Sequence, residues 1–138
     1  MVIVADNPSV LVLESDPGLR RLFDTVLRRD AFEPIFVEDG EAAVHLLARR
    51  DVAALIVDVS LAPSSLEVGS RRGIGFLHYL QREKPLLLQH VVVLSGLVPR
   101  DVPRDLPNVF LFLRKPFELD ELRAAIRACA RVEASVQF

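Results

Sequence analysis

Apolar residues in this chain fall into two kinds of segment, and the two kinds alternate. Residues 10–13, 53–57, 91–94 and 109–113 form short runs without a polar side chain. A strand covered on both faces of a sheet has that signature. Residues 32–37 read as a further strand, but Pro34 lacks an amide hydrogen and suits a sheet edge better than its centre. After the first run, Asp16 and Pro17 supply a capping carboxylate and a proline in the first turn. Leu19, Leu22, Phe23, Val26 and Leu27 then recur at helical spacing, with Arg20, Arg21, Asp24, Arg28 and Arg29 opposite.

The alternation continues to the end of the chain. Asp39-Gly40 predicts a turn, followed by a helix over 41–50 with Val44, Leu47 and Ala48 on its stripe. A helix over 73–82 turns Phe76, Leu77 and Leu80 inward and stops at Lys84-Pro85. The last helix, about 118–133, buries Leu119, Leu122, Ile126 and Cys129. Strands alternating with helices imply right-handed crossovers and a parallel sheet covered on both faces, an α/β fold. Two connections fit less well. Residues 59–72 make a long loop, and residues 97–108 contain Pro99, Pro103 and Pro107, which oppose a regular fourth helix.

Composition narrows this picture without changing it. The 138 residues suffice for one domain, and 51% of them are hydrophobic, enough for a core and too many for a disordered chain. A formal charge of −2 offers no basic excess to draw the chain onto nucleic acid or anionic lipid. No apolar run approaches bilayer length, and the start of the chain lacks the charged region of a secretory signal. The single cysteine, Cys129, excludes a disulfide framework and reads as a small core residue. His45, His78 and His90 are scattered without metal-ligand spacing, and the short arginine pairs read as solvated faces. Of 17 lysines and arginines, only Lys84 and Lys115 are lysine.

Open parallel sheets bind ligands beyond the carboxyl ends of their strands. The polar residues that end the apolar runs are Glu14-Ser15-Asp16, Asp58, Ser95 and Lys115. Acids, a hydroxyl and a compact ammonium would therefore meet at one edge of the sheet. That combination suits a carboxylate accepting a phosphoryl group, with Asp58 as nucleophile and oxygen ligands for a hard cation such as Mg²⁺. Lys115 would offset phosphoryl charge, and the Ser95 hydroxyl would donate to the product.

On these residues the chain resembles the response-regulator receiver domain of two-component signalling. The resemblance runs through VLVLESDPGLRRLF, VEDGEAAVHLL, ALIVD, RRGIGFL, VVVLSG and FLFLRKPF, in the family's order. It implies a single-domain, doubly wound (βα)5 flavodoxin-like sandwich with strands in the order 2-1-3-4-5. Residues 9–133 would form the domain, 1–8 an N-terminal extension and 134–138 a C-terminal tail. Asp58 aligns with the phosphoacceptor, Ser95 with the switch hydroxyl, and Lys115 with the lysine preceding a cis proline, here Pro116. Phe112 aligns with the switch aromatic. Glu14, Asp58 and the backbone carbonyl of Ser60 would ligate Mg²⁺.

The match departs from the family in its acidic pair, which here reads Glu14-Ser15. The serine removes one charge and a strong metal ligand; Asp16 lies one position late and already caps a helix. The loop after Asp58 is long, and Glu67 within it is a candidate to return a carboxylate to the site. The fourth crossover is short, although in receivers that region helps form the surface used for dimerisation or output.

The reading is a cytoplasmic, stand-alone receiver rather than an enzyme, with at most self-catalysed phosphorylation and dephosphorylation. A sensor histidine kinase or phosphotransfer protein would supply Asp58, and a protein target would read the result. Neither nucleic acid nor membrane is expected as a partner, and a homodimer remains open. The competing reading is a pseudo-receiver, a protein-binding module without phosphoryl chemistry, which Ser15 favours. A flavodoxin-type cofactor binder lacks its phosphate cradle after the first strand.

Overall fold

The computed structural model describes residues 7–59, 73–97, 100 and 102–130. Five strands, β1 (Ser9–Leu13), β2 (Glu33–Val37), β3 (Ala54–Asp58), β4 (Val91–Ser95) and β5 (Leu111–Arg114), form one parallel sheet. Their order is β2-β1-β3-β4-β5, as the resemblance implied. The helices are α1 (Pro17–Arg29), α2 (Gly40–Leu47), α3 (Gly73–Glu83) and α4 (Leu119–Cys129). A 3-10 helix, Pro85–His90, joins α3 to β4, because Pro85 cannot extend α3.

Of the continuous apolar runs, β1, β3 and β4 are buried on both faces, with side chains alternating between two cores. The run 109–113 instead forms the edge strand β5 from Leu111 onward and leaves Phe110 and Phe112 partly exposed. Leu11, Leu13, Leu55, Val57, Val91 and Val93 face α2 and α3, where Phe76, Leu77 and Leu80 are fully buried. Val10, Val12, Ala54, Ile56, Val92 and Leu94 face α1 and α4, against Phe23, Leu27, Leu122 and Ile126. β2 is an edge strand, as Pro34 required.

Several boundaries differ from expectation. Asp39-Gly40 is a helix start rather than a free turn: Asp39 Oδ1 accepts the Ala42 N–H at 2.8 Å, and Gly40 is the first helical residue. α2 ends at Leu47 instead of Arg50, with Ala43 buried and Ala48 exposed. α4 ends at Cys129 because Ala130 leaves the helical conformation, and residues 131–138 lie outside the described part. Leu22 is 38% exposed, so the inward stripe of α1 is narrower than its spacing suggests. The fourth crossover contains no α-helix among its described residues, in keeping with Pro103 and Pro107.

Candidate functional site

β1, β3 and β5 deliver Glu14, Asp58 and Lys115 to the same edge of the sheet. The parallel register places Leu13 beside Val57, and Asp58 beside Leu94, so consecutive strands end at nearly the same level. Lys115 follows β5, and its N–H donates to the Ser95 carbonyl at 2.8 Å, tying the ends of β4 and β5 together. The Lys115-Pro116 peptide is cis.

Lys115 Nζ donates to Asp58 Oδ2 at 2.7 Å and lies 3.8 Å from Glu14 Oε1. Glu14 is 2% exposed, unusual for a carboxylate. Its Oε2 accepts the N–H groups of Ser15 and Asp16 at 3.0 and 3.2 Å. Its Oε1 is buried without a hydrogen-bond partner among the described residues. Burial, and next the adjoining Asp58 carboxylate, push the Glu14 pKa up to about 7, while the Asp16 N–H and Lys115 act in the opposite direction. The cluster is therefore two close acids bridged by one ammonium.

The other expected residues divide. Ser15 is exposed at the rim of the cluster. Asp16 is committed elsewhere, since its Oδ2 accepts the Leu19 N–H at 2.8 Å as the α1 cap. Ser95 is fully buried, and its Oγ accepts the Leu97 N–H at 3.0 Å, a bond that uses an acceptor lone pair and not its O–H donor. Phe112 is 39% exposed. Ser60 and Glu67 lie outside the described residues.

Two positions were overlooked in the sequence. Arg20, read as part of the solvated face of α1, donates through Nε to the Glu14 carbonyl and through Nη2 to the Val37 carbonyl at 3.1 Å. Its guanidinium also lies over the Phe36 ring. Helical side chains lean toward the N-terminus, and α1 starts at the site, so a long cation in its first turns reaches back over the strand ends. Gly73, at the start of α3, packs against Asp58: a Cβ there would meet the Asp58 carbonyl oxygen at 2.2 Å. Only glycine permits that approach of backbone to backbone.

The donor set fits a Mg²⁺ ion of the kind held by one or two carboxylates with several waters. Glu14 and Asp58 supply the carboxylates, and the unpartnered Glu14 Oε1 is an available oxygen. The described residues contain no cluster of three metal-ligating side chains. At the opposite end of the sheet a groove of about 550 Å³ is lined by Leu47, Arg50, Lys84, Leu86 and His90, away from these acids. No described helix is long and apolar enough to cross a membrane.

Comparison with known proteins points to the same fold. No family model matches the chain. The NtrX-like response regulator of Rickettsia bellii is 25% identical over 121 residues, covering 87% of this chain but 24% of the relative. The chain thus spans about a quarter of the length of such relatives. Among solved structures, the receiver domain of the Francisella response regulator 1452 superposes with a TM-score of 0.69 at 23% identity, covering 89% of this chain and 96% of that one. TrrA of Thermotoga maritima, solved with Mg²⁺ and BeF, gives a TM-score of 0.71 at 18% identity and covers 88% and 98% of the two chains. TrrA has also been solved in complex with the histidine kinase ThkA.

Proposed function

We propose that this chain, which has the receiver-domain fold, accepts a phosphoryl group on Asp58 from a sensor histidine kinase or a phosphotransfer protein. The observation that carries the reading is the 2.7 Å pair between Lys115 and Asp58, beside the buried Glu14. A carboxylate oxygen of Asp58 would bond to phosphorus as the donor nitrogen leaves with the electron pair of its own bond. The product is an acyl phosphate. Lys115 starts on the carboxylate and would follow the charge to the phosphoryl oxygens without leaving its strand end. Glu14 and Asp58 would hold Mg²⁺, with the Ser60 carbonyl as a further ligand; the bound ion supplies neutralisation of phosphoryl charge. Arg20 fixes the Glu14 backbone, and Gly73 seats the Asp58 backbone.

A second reading, a binding module without phosphoryl transfer, draws on Ser15, which contributes no carboxylate. Incubation with Mg²⁺ and acetyl phosphate, or with beryllofluoride, separates the two. The phosphoryl reading predicts a mass gain with acetyl phosphate and a spectral change with beryllofluoride, both lost in Asp58→Asn. Absence of both in the wild-type chain would overturn the phosphoryl reading. Ser15→Asp is expected to tighten Mg²⁺ binding by on the order of tenfold, measured by titration calorimetry, because it restores a hard anionic ligand.

A further inference from the structure

Backbone carbonyls at strand ends lack the ladder partners that a strand interior supplies. Two of them lie side by side near the acid cluster. Glu14 follows β1 directly, Val37 ends β2, and the register pairs Leu13 with Val37. Arg20 satisfies both carbonyls at once, through Nε to Glu14 and through Nη2 to Val37 at 3.1 Å. Its guanidinium carbon also lies 5.7 Å from the centre of the Phe36 ring. The backbone of Arg20 is anchored in turn, since its N–H donates to the Asp16 carbonyl at 2.9 Å in the first turn of α1.

Between these anchors lies the turn that holds Glu14. Glu14 Oε2 accepts the N–H groups of Ser15 and Asp16, so the backbone of its own turn fixes that oxygen. Oε1 is then the oxygen left for a ligand, buried and without a hydrogen-bond partner among the described residues. A carboxylate held this way is placed only as well as the turn itself.

We propose that Arg20 is a positioning residue for cation binding: by locking the 14–16 turn to the end of β2, it sets Glu14 Oε1 beside Asp58. This role rests on the reading of Glu14 and Asp58 as Mg²⁺ ligands, and adds to it what determines their affinity. Ser15 sharpens the dependence. With a serine in place of a second acid, and Asp16 engaged as the α1 cap, no other carboxylate of the turn replaces a misplaced Glu14. A planar fork matches two carbonyls on different strands, whereas a lysine ammonium is a point charge on a flexible stem. Groups that orient a ligand from behind commonly govern metal affinity by about 10–100-fold.

The test compares Arg20→Met and Arg20→Lys with Arg21→Met, a change at the exposed neighbour. When Mg²⁺ is titrated into the full chain and followed by NMR, Arg20→Met is expected to weaken binding at least about tenfold. Arg21→Met should alter it by less than about twofold, as a surface change does. Arg20→Lys keeps the charge without the fork and is expected to behave as Arg20→Met. Amide exchange reads the turn without any metal. In Arg20→Met the Ser15 and Asp16 amides should exchange about tenfold faster, while the central amides of β1 and β3 stay unchanged. Wild-type affinity in either Arg20 variant would overturn the proposal, as would unaltered Ser15 and Asp16 amides or a loss of protection spread equally over the core. A wild-type chain that binds no Mg²⁺ would instead overturn the cation reading beneath it, and the amide comparison would still decide whether Arg20 positions Glu14.

Discussion

Glu14 sets the acid response of the cluster. Its pKa of about 7 lies above its ordinary value of 4.5, so between those values the folded chain holds a proton that the unfolded chain releases. This group therefore contributes stability below about pH 5 and loses it as pH rises through 7. Asp30 acts with the opposite sign. Arg123 pairs with it in a fork at 2.7 and 2.9 Å, and this contact holds its carboxyl below the usual range. Its stabilisation is present above its ordinary titration range and is lost only as pH falls through the lowered value. In metal-free buffer the chain should melt at a lower temperature at pH 8 than at pH 6, by roughly 1–3 kcal/mol of stability. Glu14→Gln, followed by thermal denaturation at both pH values, should flatten that difference. A slope unchanged by Glu14→Gln would assign it to another group. The same proton competes with a cation for Glu14, so Mg²⁺ affinity should rise over this range.

At the scale of elements, the sequence was most readable where local chemistry and burial agree. Asp16-Pro17 started α1 as the capping rule requires, and the unbroken apolar runs became β1, β3 and β4. Asp58 and Lys115 were legible as strand-end residues because a parallel sheet collects those ends on one edge. Arg20 and Gly73 were not, because their roles depend on packing between elements distant in sequence. Helix ends were also poorly legible, and α1 explains why. Its terminus turns at Ala31, with φ of 65°, while Phe32 N–H returns to the Leu27 carbonyl at 2.8 Å. That left-handed position ordinarily belongs to glycine, so no stop signal was printed in the sequence. Ala31→Gly is expected to raise stability by about 1 kcal/mol, read from urea denaturation, despite glycine's greater freedom when unfolded. A loss of stability would mean that the terminus relaxes without strain.

At the scale of the molecule, the fourth crossover distinguishes the two halves of the sheet. β1 and β3 have strands on both sides and helices on both faces, whereas β5 has one neighbouring strand and an exposed pair of phenylalanines. Local opening follows such differences in buried contact. In hydrogen exchange, the amides of Phe110 and Lys115, both bonded to β4, should exchange well before the central amides of β1 and β3. Equal protection of these amides would show that β5 opens only with the whole fold. Lys115 is the residue immediately beyond β5, so an excursion of that strand withdraws the ammonium from Asp58 and leaves two acids facing each other. Anything that steadies the outer side of β5 holds the lysine in place. Communication between that edge and the acid cluster then needs no moving helix, only a change in how often one short strand lets go.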